Sequence, residues 1–196
     1  MPRRGKCSVP GSFNVKAHRV KPSLAIRSVR ADDDLARLTE LIHAAYAPHA
    51  AKGLRYWGTH QSVDDTRTRL GSGYGLVAES SGEFAGTITV RPPHLESRIA
   101  LYRDPGTWTI CQFAVAPGMK GAGLGKSLHD AAVAHAMLNG GTTMALDTAA
   151  PAQALIAMYR AWGYELAGEV DWRPHTNYLS VVMRKALYSE VGRNVP

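Results

Sequence analysis

Apolar positions recur along this 196-residue chain with two periods, and the switches between them mark out its elements. Leu24-Ala25-Ile26-Arg27-Ser28-Val29 reads as a short strand. One of Asp32, Asp33 and Asp34 then caps a helix whose apolar face, Leu35, Leu38, Leu41, Ile42 and Ala45, closes near Tyr46. From Ala47 to Gln61 no period persists, while His49, Arg55, Tyr56, Trp57 and His60 accumulate. A weaker helix is predicted over 63–70, stopped by Gly71 and Gly73. Strands over 74–79 and 83–90, joined by Ser80-Ser81-Gly82, read as a hairpin, and 91–106 as a long connection carrying Pro92, Pro93 and Pro105. A strong strand, Trp108 to Val115, is closed by Pro117-Gly118. The next helix places Leu124, Leu128, Ala131, Ala132, Ala134, His135 and Leu138 on or near its buried side and stops at Gly140-Gly141. A strand over 143–148, a helix over 151–162 and strands over 164–170 and 178–184 complete the series.

The order β-α-α-β-β-β-α-β-α-β-β mixes hairpins with crossover helices. It predicts an α/β (α+β) fold: a mixed, mostly antiparallel seven-stranded sheet flanked by about four helices and covered on both faces, rather than a doubly wound parallel sheet.

The length suits one domain, expected over 23–188 and followed by a tail at 189–196. Residues 1–22 lack either period and read as a mobile leader. The charge is divided unevenly. Residues 1–30 hold eight basic side chains and no acid, which leaves 15 basic against 16 acidic residues in the rest. The formal +7 therefore sits in the first 30 residues, mostly in the leader, which is read as a solvated tail. Phe13 is its only aromatic residue and no recognisable nucleic-acid module accompanies it, so a nucleic-acid partner is not expected. No apolar run reaches the roughly 18 to 20 residues that span a bilayer, and no secretory pattern opens the chain, so a cytoplasmic protein with no membrane partner is expected. Cys7 and Cys111 make no disulfide framework, and no metal is expected: His43/His49 and His129/His135 lack the i, i+4 spacing of a helical metal site.

The most informative segment is Phe113-Ala114-Val115-Ala116-Pro117-Gly118-Met119-Lys120-Gly121-Ala122-Gly123-Leu124-Gly125-Lys126. A strand ends, proline stops the pairing, and a glycine-rich turn feeds a helix. The first amides of a helix have no internal acceptor and carry the positive end of its dipole. Glycines let a phosphate approach them, and Lys120 and Lys126 add charge, so the turn suits a pyrophosphate. A Walker loop would need glycine at position 120, which is Lys120; a dinucleotide fingerprint would need glycine at position 126, which is Lys126.

The string Phe113-x-Val115-x-Pro117-x-x-Lys120-x-x-Gly123-x-Gly125 resembles the signature of the GNAT superfamily of acyl-CoA-dependent N-acyltransferases, with Lys120 where that family prefers Arg or Gln. A second resemblance is Leu155-x-x-x-Tyr159-x-x-x-Gly163-Tyr164, with Leu where the family often has Ala. Ala152 stands where the family often has a cofactor-touching Asn. The resemblance covers roughly residues 24–185 and extends to the order of elements. It implies a GNAT-like fold, acetyl-CoA as co-substrate and an amine acceptor. The coenzyme would lie against Phe113, Ala114, Val115, Lys120, Gly121, Ala122, Gly123, Leu124, Gly125 and Lys126. Amides near Phe113 to Val115, where the fourth strand splays from the fifth, would polarise the acetyl carbonyl. The resemblance makes Tyr159 the general acid for the departing thiolate.

The general base has no such guide, because Thr109 to Gln112 carry no acid. Asp147, at the end of the fifth strand, is the closest remaining carboxylate, with Asp171 and Glu96 as outsiders. The acceptor pocket is expected from Ala47–Gln61 and Asp171–His175, with Tyr56, Trp57 and Trp172 as its walls. The expected reaction is direct attack of a primary amine in a ternary complex. The alternative is a non-catalytic acyl-CoA-binding or regulatory module on the same fold. A homodimer stays open.

Overall fold

The computed structural model describes residues 24–187; the leader, the tail and Cys7 lie outside the described residues. The strands are β1 (Leu24–Ser28), β2 (Tyr74–Ser80), β3 (Glu83–Arg91), β4 (Thr107–Val115), β5 (Thr143–Ala149), β6 (Glu165–Asp171) and β7 (Leu179–Ala186). The helices are α1 (Leu35–Ala50), α2 (Val63–Gly71), α3 (Ala100–Arg103), α4 (Leu124–Leu138) and α5 (Gln153–Ala161), with one-turn 3-10 segments at Trp57–Thr59 and Pro117–Met119. The strands form one seven-stranded sheet in the order β1-β2-β3-β4-β5-β7-β6. All neighbours are antiparallel except β4 and β5, so the mixed, mostly antiparallel sheet is as the element order predicts. None of the described helices is long and apolar enough to cross a membrane.

Local chemistry explains the boundaries. Asp34 is the cap of α1, its carboxylate accepting from the amides of Ala36 and Arg37 at 3.0 and 3.1 Å, while Asp33 turns back to Arg27. The helix runs one turn beyond Tyr46, through Pro48 to Ala50. That last turn buries no side chain, so the apolar stripe that located the helix stops before the helix does. Ser62 and Asp65 form a reciprocal capping box that starts α2. The one-turn helix α3 falls inside the stretch expected as a plain connection and is too short to show a period.

Helices cover both faces of the sheet. Leu38, Leu41, Ile42 and Ala45 of α1 pack with Leu70, Val77 and Ala114. On the opposite face, Leu124, Leu128, Ala132 and Ala136 of α4 meet Ile88, Val90, Met144 and Met183. Two positions expected near that buried side, Ala134 and Leu138, are exposed, Leu138 to 85%. The buried row runs at i+4 spacing instead, and beside it the fully buried His129 meets the hydroxyl of Tyr164 at 2.9 Å through Nε2. Glycine also sets packing distance at one place in the sheet. A Cβ on Gly86 would come within 2.8 Å of Leu128 Cδ1 and 3.0 Å of the Ala114 carbonyl, so only glycine lets α4 settle there.

The feature that makes room for a site is the β4–β5 junction. Only Thr107↔Thr143, Trp108↔Met144 and Thr109↔Ala145 pair. Beyond them β4 continues to Val115 on β3, and β5 continues to Ala149 on β7, so the two central strands diverge into a wedge.

Candidate active site

A cavity of about 1070 Å³ fills this wedge. Its walls come from both strands, α1, α2, α5, the glycine turn and the loops before α2 and after β6. Phe113, Ala114, Val115, Lys120, Gly121, Gly123, Gly125 and Lys126 line it, as do Asp147, Tyr159, Tyr56, Trp57 and Trp172. The fold thus brings the sequence-predicted residues to one place, with two exceptions. Ala122 and Leu124 are absent from the walls; the Leu124 side chain is buried in the core, which leaves only its amide for any ligand.

At one end lies the glycine turn. Gly121 and Gly123 both adopt φ +81°, a left-handed conformation that side chains disfavour, and Gly123 is the N-cap of α4. The backbone amides of residues 121 to 126 donate to no acceptor among the described residues; the next amide, Ser127, bonds Gly123 O at 3.0 Å. A run of orphan donors at the positive end of a 15-residue helix has the geometry to receive an anion. Lys120 reaches only the Ala45 carbonyl, at 3.4 Å, so its charge is not neutralised there. Lys126 is instead paired with Asp130, at 2.5 and 2.6 Å.

Along β4 the hydrogen-bond alternation decides which groups face the wedge. The Ala116 amide bonds Ala85 O beside β3, so Ala114 also faces β3, and the amides of Phe113 and Val115 face the open side. The Phe113 carbonyl points the same way and accepts from Tyr46 Oη at 3.1 Å. Tyr46 was not a sequence candidate. It closes the apolar face of α1, and nothing local marks it as a partner of β4.

Tyr159, in the last turns of α5, is 7% exposed and packs edge-on against Trp162 and Tyr164 at centroid distances of 5.8 and 5.6 Å. Its hydroxyl donates to no group among the described residues. Burial raises its pKa well above the usual tyrosine value, helped by nearby Tyr46, Tyr164, Tyr56 and Asp147. Tyr46 is pushed up to about 12, mainly by burial. Both phenols hold their protons at neutral pH.

Asp147 has two fixed partners: Tyr102 Oη donates to Oδ1 at 3.0 Å, and Trp172 Nε1 donates to Oδ2 at 2.9 Å. Burial raises its pKa, and those two donors together with the charge of Arg69 oppose the shift. A carboxylate held in this way is oriented and more basic than an exposed aspartate. Trp172 therefore positions Asp147 as well as forming a wall. Asp171, one of the outsiders, is taken up by Arg173, and the other, Glu96, stands exposed at the rim.

The Ala47–Gln61 segment meets the loop after β6. Trp57 packs on His175 at 5.3 Å, the Arg55 amide donates to Asn177 Oδ1 at 2.9 Å, and Asn177 Nδ2 donates to Gly53 O at 2.7 Å. Tyr56 is buried beneath them between Tyr46 and Tyr178, its hydroxyl 3.2 Å from Thr148 Oγ1. These contacts latch the two loops together over one side of the cavity.

The acetyltransferase (GNAT) family profile matches residues 35–164, two thirds of the chain, and covers the glycine turn, α5 and Tyr159. The chain belongs to the GNAT family of acetyltransferases. Solved GNAT structures share its fold. The ribosomal-protein-S18-alanine N-acetyltransferase from Escherichia coli is 18% identical and superposes with a TM-score of 0.65, over 89% of this chain and 99% of that one. The ribosomal-protein-alanine N-acetyltransferase from Brucella melitensis is 22% identical, with a TM-score of 0.61 over 83% and 99%. A GNAT family acetyltransferase from Elizabethkingia anophelis, solved with acetyl-CoA bound, is 15% identical, with a TM-score of 0.59 over 84% and 98%. No curated protein sequence matches the chain.

Proposed function

We propose that this GNAT protein transfers an acetyl group from acetyl-CoA to a primary amine by direct attack in a ternary complex. The observation that carries the reading is the run of orphan amides at residues 121–126, of which Gly121, Gly123, Gly125 and Lys126 line the same cavity as Tyr159 and Asp147. Those amides, with Lys120 beside them, suit the pyrophosphate of coenzyme A. The wedge beyond them would then take the pantetheine arm, with the thioester carbonyl near the open-side amides of Phe113 and Val115.

The amine nitrogen attacks the thioester carbon, with its proton passing to Asp147, whose raised pKa suits it to accept. The oxyanion is held by the β4 amides. As it collapses, the carbon–sulfur bond breaks and Tyr159 gives its proton to the sulfur. The products are an N-acetyl amine and free coenzyme A, and solvent returns one proton to Tyr159 and removes one from Asp147.

The test is thiol release from acetyl-CoA over a panel of primary amines, with mass spectrometry of the products. Amine-dependent thiol release with a mass gain of one acetyl group is expected. Tight acetyl-CoA binding with no amine-dependent release would make the protein a binding module instead.

A further inference from the structure

Two arginines in the cavity wall have no role in the scheme above. Arg69 lies in the last turn of α2, and Arg91 ends β3 opposite Thr109, in the last β4 position paired with β5. Ser72 ties them together, donating to the Arg69 carbonyl at 2.7 Å and accepting from Arg91 Nε at 3.3 Å. Arg69 is further held by the Cys111 carbonyl and by Gln112 Oε1. Both side chains are half-buried and line the cavity, and neither is ion-paired with a carboxylate among the described residues.

Half-buried guanidinium groups fixed through neutral partners keep their full charge and free N–H donors, in a planar array that matches carboxylate or phosphate oxygens. The buried acid of the same cavity, Asp147, is occupied by Tyr102 and Trp172 rather than by either arginine. The wall therefore carries separated charges, cationic by β3 and α2 and anionic on β5. All three side chains line the one cavity, so a single ligand there can meet both charges. The two loops latched through Trp57–His175 and Asn177 cover one side of the cavity, which suits a small acceptor.

We infer that the acceptor is a small amine bearing an anionic group, a carboxylate or a phosphate, which Arg69 and Arg91 hold while the amine faces Asp147. This rests on the acetyl-transfer reading for its chemistry, but on the arginine pair for its selectivity.

Matched amines test it: glycine against glycinamide, phosphoethanolamine against ethanolamine, and a hexapeptide with a free N-terminus. Each is assayed for thiol release from acetyl-CoA and, by calorimetry, for binding to the coenzyme A-loaded protein. The anionic member of at least one pair should be favoured in kcat/KM by about 10- to 100-fold, as expected for charge-assisted hydrogen bonds to arginine. The pair showing the preference identifies carboxylate or phosphate. Arg91→Gln should bring the ratio close to one while acetyl-CoA affinity and melting temperature hold; Arg69→Gln should do the same unless loss of its β4 contacts unfolds it. Equal or better use of the uncharged members, preference for the hexapeptide, or a ratio unchanged in Arg91→Gln would overturn the inference. If no amine releases thiol, acetyl transfer fails as a reading. The calorimetric arm then decides the inference alone: preferential binding of an anionic member supports it, and no preference refutes it.

Discussion

Replacing Tyr159 by phenylalanine removes one oxygen and leaves the ring. The edge-on contacts to Trp162 and Tyr164 are made by the ring, and the hydroxyl bonds no group among the described residues. No protein hydrogen bond is lost, so stability should change by no more than about 1 kcal/mol. Acetyl-CoA affinity should hold as well, because the ring and the orphan amides are left in place. What disappears is a proton donor whose pKa burial keeps high. General acid catalysis is typically worth roughly 100- to 10,000-fold, or about 3 to 5 kcal/mol of barrier. The loss should fall on the chemical step, a transition-state interaction rather than a ground-state one. Single-turnover acetyl transfer by rapid quench isolates that step from product release. A drop of at least about 100-fold with unchanged coenzyme affinity and melting temperature is the expected outcome. Wild-type single-turnover rates in Tyr159→Phe would leave Tyr159 a packing residue and assign protonation of the sulfur to water.

Three further outcomes are expected. Gly123→Val forces a branched side chain into φ +81°, at a cost of about 1–2 kcal/mol or more, and places it in open space where a phosphate would approach the amides; titration should show acetyl-CoA affinity falling at least tenfold, and unchanged affinity in a folded variant would move the coenzyme elsewhere. Asp147 can accept a proton only when ionised, so the single-turnover rate should fall with decreasing pH through a pKa above the ordinary aspartate range; Asp147→Asn should lower the rate and erase that limb, and a limb that persists belongs to another group. Tyr46, Tyr102, Tyr159, Tyr164 and Tyr178 all hold their protons more tightly folded than unfolded, so their contribution is intact below the unfolded tyrosine pKa of about 10 and is lost as pH rises above it. The melting temperature should stay level from about pH 7 to 9 and fall above about 10, with phenolate absorbance rising together with unfolding rather than before it.

The fold was legible wherever one face of an element is buried, because burial writes a period into the sequence. The apolar stripe of α1, Leu38, Leu41, Ile42 and Ala45, is of this kind, and so is the existence of α4, though not its full buried row. Where an element buries little, the signal fails: the last turn of α1 carries Pro48 and no buried side chain, and α3 is a single turn. The site divides in the same way. The glycine turn, proposed to hold the coenzyme, is one contiguous segment and could be read as a motif. The rest of the cavity wall brings together Tyr46, Arg69, Arg91, Tyr102 and Asp147 from five elements, and no local spacing announces their meeting. Even Asp147, located by its place at the end of β5, gave no hint that Trp172 and Tyr102 would be its partners.

The three-pair seam between β4 and β5 also bears on how the protein holds together. Strands β1 to β4 pair in sequence order, β5, β7 and β6 form a second group, and the seam is the only place where the two groups share ladder bonds. With few ladder bonds there, the junction depends on the packing of α4 beneath it. A molecule lodged in the wedge would touch both groups at once and resist their separation, adding stability in proportion to the logarithm of its concentration over its dissociation constant. The wedge that would take the substrate thus opens where neighbouring strands of the sheet share the fewest ladder bonds.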